Sequence, residues 1–175
     1  EMIPVTGGYI DAGIWTIRLE PVMTVTGQYY LYLPAGNGRG DSTVFYRSTP
    51  QMTLTVPSTA AKVITVGAYD PVYDTYADFS GRGYADSTRT IGVTAAGLTK
   101  PDLVAPGVNI QAPDVYGTFT PTTGTSFATP IVSGAAALLM EWGIVRGNDP
   151  FLFGEKVKAY LKRGARPLPG MGVWP

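Results

Sequence analysis

Between residues 131 and 140 the chain is almost wholly apolar and small: only Ser133 and Gly134 interrupt a run of Ile, Val, Ala, Leu and Met. No polar stripe recurs at helical spacing, which predicts a helix without a solvent face, running through a core. Elsewhere the period is two. Residues 14–20 put Trp15, Ile17 and Leu19 on one side and Thr16, Arg18 and Glu20 on the other. Residues 28–33, 44–47 and 52–56 continue the alternation, with Met52, Leu54 and Val56 facing inward. Half-exposed strands of an antiparallel sheet read this way. After Pro57 the pattern changes. Residues 63–68 and 102–105 are short continuous apolar runs, the signature of parallel strands buried on both faces, and a further strand follows over 108–112. Residues 70–86 are rich in turns and aromatic, with Tyr73, Tyr76, Phe79 and Tyr84. A second helix is predicted over 150–163, with Asp149 as its cap, Pro150 in its first turn and Gly164 as its stop. Phe153, Val157, Tyr160 and Leu161 line its packing face, and Glu155, Lys156, Lys158 and Lys162 fall outside that stripe.

Two regions follow from these periods. Residues 1–57 predict part of an antiparallel β-sandwich, and residues 58–175 predict part of an α/β fold with a doubly wound parallel sheet. Neither region has enough elements to close its own core, so the chain reads as the C-terminal portion of a longer protein. Its exposed sheet edges would offer a pairing surface to a second copy.

Composition narrows the class. The 175 residues suit one domain or pieces of two, and 45% hydrophobic content supports a core. Charged residues make up 15%, against roughly 25% in ordinary domains. With 22 glycines and 15 prolines the chain turns often. Thirteen basic and thirteen acidic residues cancel, which gives no field for nucleic acid or an anionic membrane. The apolar run after Ser126 reads as too short and too interrupted to span a bilayer. The absence of cysteine excludes disulfides, thiol catalysis and thiolate metal sites, and the absence of histidine excludes a His-based triad within these residues.

The candidate chemistry lies at the mouth of the apolar helix, in Gly124-Thr125-Ser126-Phe127-Ala128-Thr129-Pro130. Free N–H groups and the positive dipole end at a helix N-terminus favour charge developing on a serine oxygen placed there. Gly124 permits close backbone approach, Thr125 is positioned to cap, and Ala128 leaves room beside the serine. Pro130 cannot donate to the Ser126 carbonyl, which loosens the first turn. A serine in a capping loop is the bland reading of the same residues.

Four blocks in order decide between these readings. Residues 63–68, 77–83 (Ala-Asp-Phe-Ser-Gly-Arg-Gly), 100–108 (Lys-Pro-Asp-Leu-Val-Ala-Pro-Gly-Val) and the Gly-Thr-Ser-x-Ala-x-Pro segment with its Gly-Ala-Ala-Ala-Leu helix resemble the subtilisin-like serine proteases. The resemblance implies that Ser126 is the nucleophile, within a helix over 126–142. Residues 142–150, 154–161 and 163–166 are similar to the clostridial spore-germination subtilases, the Csp group, in which a jelly-roll-type domain precedes the nucleophile segment. That implies a jelly-roll-like insert over 1–57, a protein or peptide substrate cleaved at limited sites, and a secreted or spore-associated setting. The family triad runs Asp, His, Ser, so the resemblance places the aspartate, the histidine and an oxyanion-hole asparagine in the upstream part of the same protein. It leaves one other reading open, a catalytically inactive subtilase-like binding protein of spore germination, because some Csp-group members have lost triad residues.

Two segments mimic family motifs. Asp11 sits in an Asp-Ala-Gly that leads into an alternating strand, and Asn37 sits in a Gly-Asn-Gly turn; both are read as look-alikes within the insert. Arg39-Gly40-Asp41 is read as a glycine-loop coincidence, and Tyr29, Tyr30 and Tyr32 as sheet packing. Some subtilases bind calcium, but Asp70, Asp74, Asp78 and Asp86 match no defined cation loop, so no metal ligands and no cofactor are assigned. Asp102 is given the task of fixing a turn before its strand, with no catalytic role.

Overall fold

A computed structural model describes residues 13–23, 27, 29–33, 43–83 and 100–169. The readings of Asp11, Asn37, residues 39–41, Tyr84 and Asp86 lie outside the described residues. The chain forms two compact units, residues 1–37 and 38–175.

In the first unit, no residue of 14–20 or 29–33 is assigned to a strand. Ile14, Trp15, Tyr29 and Tyr32 are exposed, and Arg18 pairs with Glu20 across 3.2 Å in water. The alternation there is real, but it does not build a sheet face among these residues. Period-two patterning forms a strand only when a neighbour completes the ladder, and the tyrosines predicted to pack in a sheet stand in solvent. The jelly-roll-like arrangement expected over 1–57 therefore has no strand among its described residues.

The second unit contains the predicted α/β element. β1 (Val66–Asp70) pairs in parallel with β3 (Leu103–Pro106), Val66 opposite Leu103 through Tyr69 opposite Pro106. A two-residue β2 (Thr75–Tyr76) folds back antiparallel on β1, giving the order β2-β1-β3. β4 (Ile110–Pro113) and β5 (Phe119–Thr122) form a separate antiparallel hairpin. Asp114 closes its tip, accepting from the Tyr116 and Thr118 amides and the Thr118 hydroxyl. β5 is absent from the sequence reading because Thr118 to Thr123, with a proline inside, carries no apolar period. Met52 N–H donates to Gly83 O and Thr53 N–H to Arg82 O, at 3.2 and 2.9 Å.

α1 (Thr125–Met140) lies on β1 and β3 and continues into a π-helical turn, Glu141–Val145. Ala128 and Val132 are buried, and Ala136 and Leu139 are half-buried, so one stripe at helical spacing faces the sheet. Ile131 and Leu138 are exposed, so this helix has a solvent face, contrary to its sequence pattern. Uniform apolarity conceals which face packs, because packing is decided by the neighbouring layers. The run is also longer than the sequence suggests: Thr125–Val145 is 21 residues with hydropathy 1.4, long and apolar enough by length and composition to cross a membrane. Only one stripe of it packs on β1 and β3.

The core is built of small residues, Ala68, Ala77, Ala105, Ala128 and Val132, with Ile64, Leu103, Val108 and Leu161 at its margin. Such side chains let helix and sheet approach closely. α2 (Glu155–Gly164) starts five residues later than predicted. Gly154, at φ 56°, is its N-cap, and Asp149 instead binds Lys156 Nζ at 2.6 Å. Gly164 is the last helical residue, and the chain leaves through an extended Ala165. Phe153 and Tyr160 are exposed, whereas Lys158 is buried beside Val157. Leu152, fully buried, seats against Gly143, where a Cβ would fall 2.5 Å from Leu152 Cδ2.

Candidate active site

Ser126 is exposed in the first turn of α1. Among the described residues its hydroxyl has no hydrogen-bond partner, and it is free to meet a substrate or a base. The first-turn N–H groups of a helix lack partners four residues back, so the Ser126 amide is a donor available to an anion.

The turn ahead of Ser126 is held by backbone. Gly124 is the N-cap, with φ 153° and ψ 160°, a conformation that only glycine adopts readily. A Cβ there would meet nothing closer than 3.6 Å, so conformation and not space requires the glycine. Thr125 is the first helical residue and makes no capping bond; its carbonyl accepts from Thr129 Oγ1 at 2.9 Å. Gly124 N–H donates to Gly107 O at 2.8 Å, and Gly107 N–H donates to Tyr69 O at 2.9 Å. Thr123 Oγ1 accepts from Asn109 N–H at 3.1 Å. The turn that presents Ser126 is thus tied to the ends of β1 and β3.

Space matters at Gly107. A Cβ there would lie 2.6 Å from Ala68 Cβ, 3.1 Å from Gly124 O and 3.5 Å from Ala128 Cβ. Ala128, expected to leave room beside the serine, is fully buried under it, and its small size serves the helix–sheet contact. Residues of the second block are hydrogen-bonded to Ala68 of β1. Buried Ser80 Oγ accepts from Ala68 N–H at 2.9 Å and donates to Tyr76 Oη at 3.0 Å, and Tyr76 Oη donates to Gly81 O at 2.6 Å. Burial pushes the Tyr76 phenol up, against the opposing pull of the Ser80 bond and Arg82, whose guanidinium lies 5.0 Å over the ring.

The sequence reading missed a charged cluster at the opposite end of β1 and β3. The Asp102 side chain is fully buried. Its Oδ2 accepts from Lys100 Nζ at 2.7 Å and from Thr65 N–H at 2.8 Å. Lys158 Nζ lies 2.8 Å from Oδ1, an ion pair outside hydrogen-bond geometry. Both ammonium groups also donate to Val63 O, at 2.7 and 3.0 Å, Lys100 to Thr65 Oγ1 and Lys158 to Ala61 O. Burial alone would raise the Asp102 carboxyl; the bonds from Lys100 and Thr65 and the charge of Lys158 beside it outweigh burial and hold the group below the usual carboxylate range. Burial lowers Lys100, with Asp102 opposing that shift. Only the near-adjacency of Lys100 and Asp102 hinted at this in the sequence. Lys158 sat among helix residues that looked solvated.

Asp70 Oδ1 accepts from Val72 N–H in a turn, and Asp78 faces Arg82 at 4.0 Å in solvent. Among the described residues no group of three or more Asp or Glu side chains is placed to hold a metal ion.

The Subtilase family model (peptidase S8) matches residues 23–172. The serine protease AprX of Bacillus subtilis is 35% identical over 150 residues, 74% of this chain and 28% of its own length. Subtilisin BL of Lederbergia lenta is 32% identical over 149 residues, 85% of this chain and 44% of its own. Among solved structures, the CspB protease of Clostridium perfringens superposes with a TM-score of 0.67 at 43% identity, over 76% of this chain and 27% of that one. The chain therefore spans less than half the length of each of these relatives. An exposed serine at the mouth of an apolar helix, hung by Gly124 and Gly107 from a parallel strand pair, and a family match across most of the sequence lead to one conclusion: the chain belongs to the subtilase family, with a Csp-like relative among its structural neighbours.

Proposed function

We propose that Ser126 is the nucleophile of a subtilisin-like serine endopeptidase and that residues 58–175 carry the nucleophile-bearing part of its catalytic domain. The observation that carries this reading is the exposed Ser126 hydroxyl at a helix N-terminus whose approach is fixed by Gly124. In the longer protein, a histidine upstream of residue 1 takes the Oγ proton as Oγ attacks the peptide carbonyl, and an upstream aspartate orients that histidine. The Ser126 amide and an asparagine side chain stabilise the tetrahedral oxyanion. The histidine then returns the proton to the leaving amine, and water hydrolyses the acyl-enzyme. The chain itself contains no histidine, so residues 1–175 alone do not complete this cycle. The Csp-group resemblance of residues 142–166 extends this reading to a protein substrate cleaved at limited sites, in a secreted or spore-associated setting.

A fluorophosphonate probe tests the reading on a chain long enough to include the whole subtilase domain. Labelling at Ser126, lost in Ser126→Ala, supports it. A folded, unlabelled protein overturns it, and labelling that survives Ser126→Ala moves the nucleophile elsewhere. Residues 1–175 alone remain unlabelled.

A further inference from the structure

The peptidase scheme makes no use of Lys100, Asp102 or Lys158, yet the side chains of all three are buried, those of the two lysines 8% and 9% exposed. Burying such a set costs several kcal/mol per ion before pairing, and apolar replacements are often as stable or more so. The best attested return on that cost is register: a buried polar group accepts one alignment and rejects its neighbours.

The cluster stands where register is set. Asp102 N–H donates to Thr65 O at 2.9 Å, and Thr65 N–H returns a bond to the Asp102 carboxylate at 2.8 Å. Thr65 and Asp102 thus form the rung just before Val66–Leu103, the first registered pair of β1 and β3. Lys100 and Lys158 fasten that rung to Val63 O, and Lys158 brings in α2 from 95 residues away. At the far end, after Tyr69–Pro106, comes Gly107, whose carbonyl holds Gly124. A one-residue slip of β3 would turn the Asp102 carboxylate away from both ammonium groups and carry Gly107 about 3.3 Å along the strand.

We propose that the Lys100–Asp102–Lys158 cluster is a positioning device that locks β3 in register with β1 and thereby places Gly107 and the Ser126 turn. The catalytic consequence rests on the peptidase reading; the register role does not. These are positioning residues, acting through β3 at a distance of five residues along the strand, on the order of 16 Å.

The test uses the chain that carries the whole subtilase domain and three variants. Asp102→Asn keeps the shape and removes the charge. The triple variant Lys100→Met/Asp102→Leu/Lys158→Met replaces the cluster with apolar volume and stays interpretable if Asp102→Asn does not fold. Lys158→Arg keeps the ion pair. Two readouts are taken well below each melting temperature: hydrogen exchange at the Gly107 and Gly124 amides, and peptide hydrolysis or the fluorophosphonate labelling rate. The lock predicts that Asp102→Asn and the triple variant exchange at both glycine amides about tenfold faster or more, lose about tenfold or more in kcat with KM changed less than about twofold, and that Lys158→Arg stays near wild type. A folded triple variant with wild-type exchange at Gly107 and Gly124 overturns the lock, whatever its melting temperature. A triple variant with faster exchange but unchanged kcat overturns the catalytic consequence. If the wild-type protein is not labelled at all, the peptidase reading fails, and the exchange arm still decides the register role.

Discussion

Gly124 N–H donates to Gly107 O across 2.8 Å, and this bond joins the turn that presents Ser126 to the end of the parallel strand pair. Each glycine is required for a different reason. Gly107 has no room for a side chain, whereas Gly124 has room but an unusual backbone conformation.

Gly107→Ala should therefore act through steric overlap. Its Cβ would lie 2.6 Å from Ala68 Cβ, deep in the core, where neither partner can yield without moving β1 or α1. Overpacking of this kind costs about 1–3 kcal/mol, to be read from urea unfolding midpoints. In the longer protein the Ser126 labelling rate should fall with it.

Gly124→Ala should act through backbone strain. An L-residue forced to φ 153° and ψ 160° loses about 1–3 kcal/mol or rotates the turn to escape. The rotation shifts Ser126, so labelling should slow more than stability falls, the reverse of the order expected for Gly107→Ala. Comparing the two variants separates space from conformation at one hydrogen bond.

Asp102 should dominate the acid limb of stability. Its folded-state pKa is held below the usual carboxylate value, so its contribution is fully present above that value and is lost as pH falls through the folded one. Unfolding free energy measured from neutral pH downward should drop below the normal carboxylate range, and Asp102→Asn should flatten that slope. The substitution leaves two buried ammonium groups without their carboxylate and should cost about 3–5 kcal/mol near neutral pH.

Ser80→Ala removes the hydroxyl that accepts from Ala68 N–H in the middle of β1. A buried amide left unpaired costs about 1–3 kcal/mol. The neighbouring Tyr76 loses a donor that held its pKa down, so its absorbance titration should move further up while the Tyr76–Gly81 bond remains.

The sequence was most legible where local chemistry is decisive. The Gly-Thr-Ser segment, the apolar helix behind it and the two continuous strands carried the resemblance that marked the family and pointed to Ser126 as the candidate nucleophile. The parallel strand pair formed within three residues of the predicted positions. Period-two alternation in 14–20 and 29–33 was a weaker guide, since a strand requires a partner that alternation does not supply. α2 shows the same limit at its start: Asp149 looks like a cap but pairs with Lys156, and the helix begins at Glu155, after Gly154.

By itself, then, the sequence determined the candidate serine, its helix, the absence of histidine and the parallel strands, all properties of contiguous residues. The tertiary structure alone decided which stripe of α1 is buried, why Gly107 has no side chain, and that Lys100, Asp102 and Lys158 share one buried site. Those facts depend on segments up to 97 residues apart, as in the bond from Lys158 to Ala61. Sequence periodicity records which positions are apolar along one element. It carries no record of which ammonium group will find which carboxylate once the elements meet.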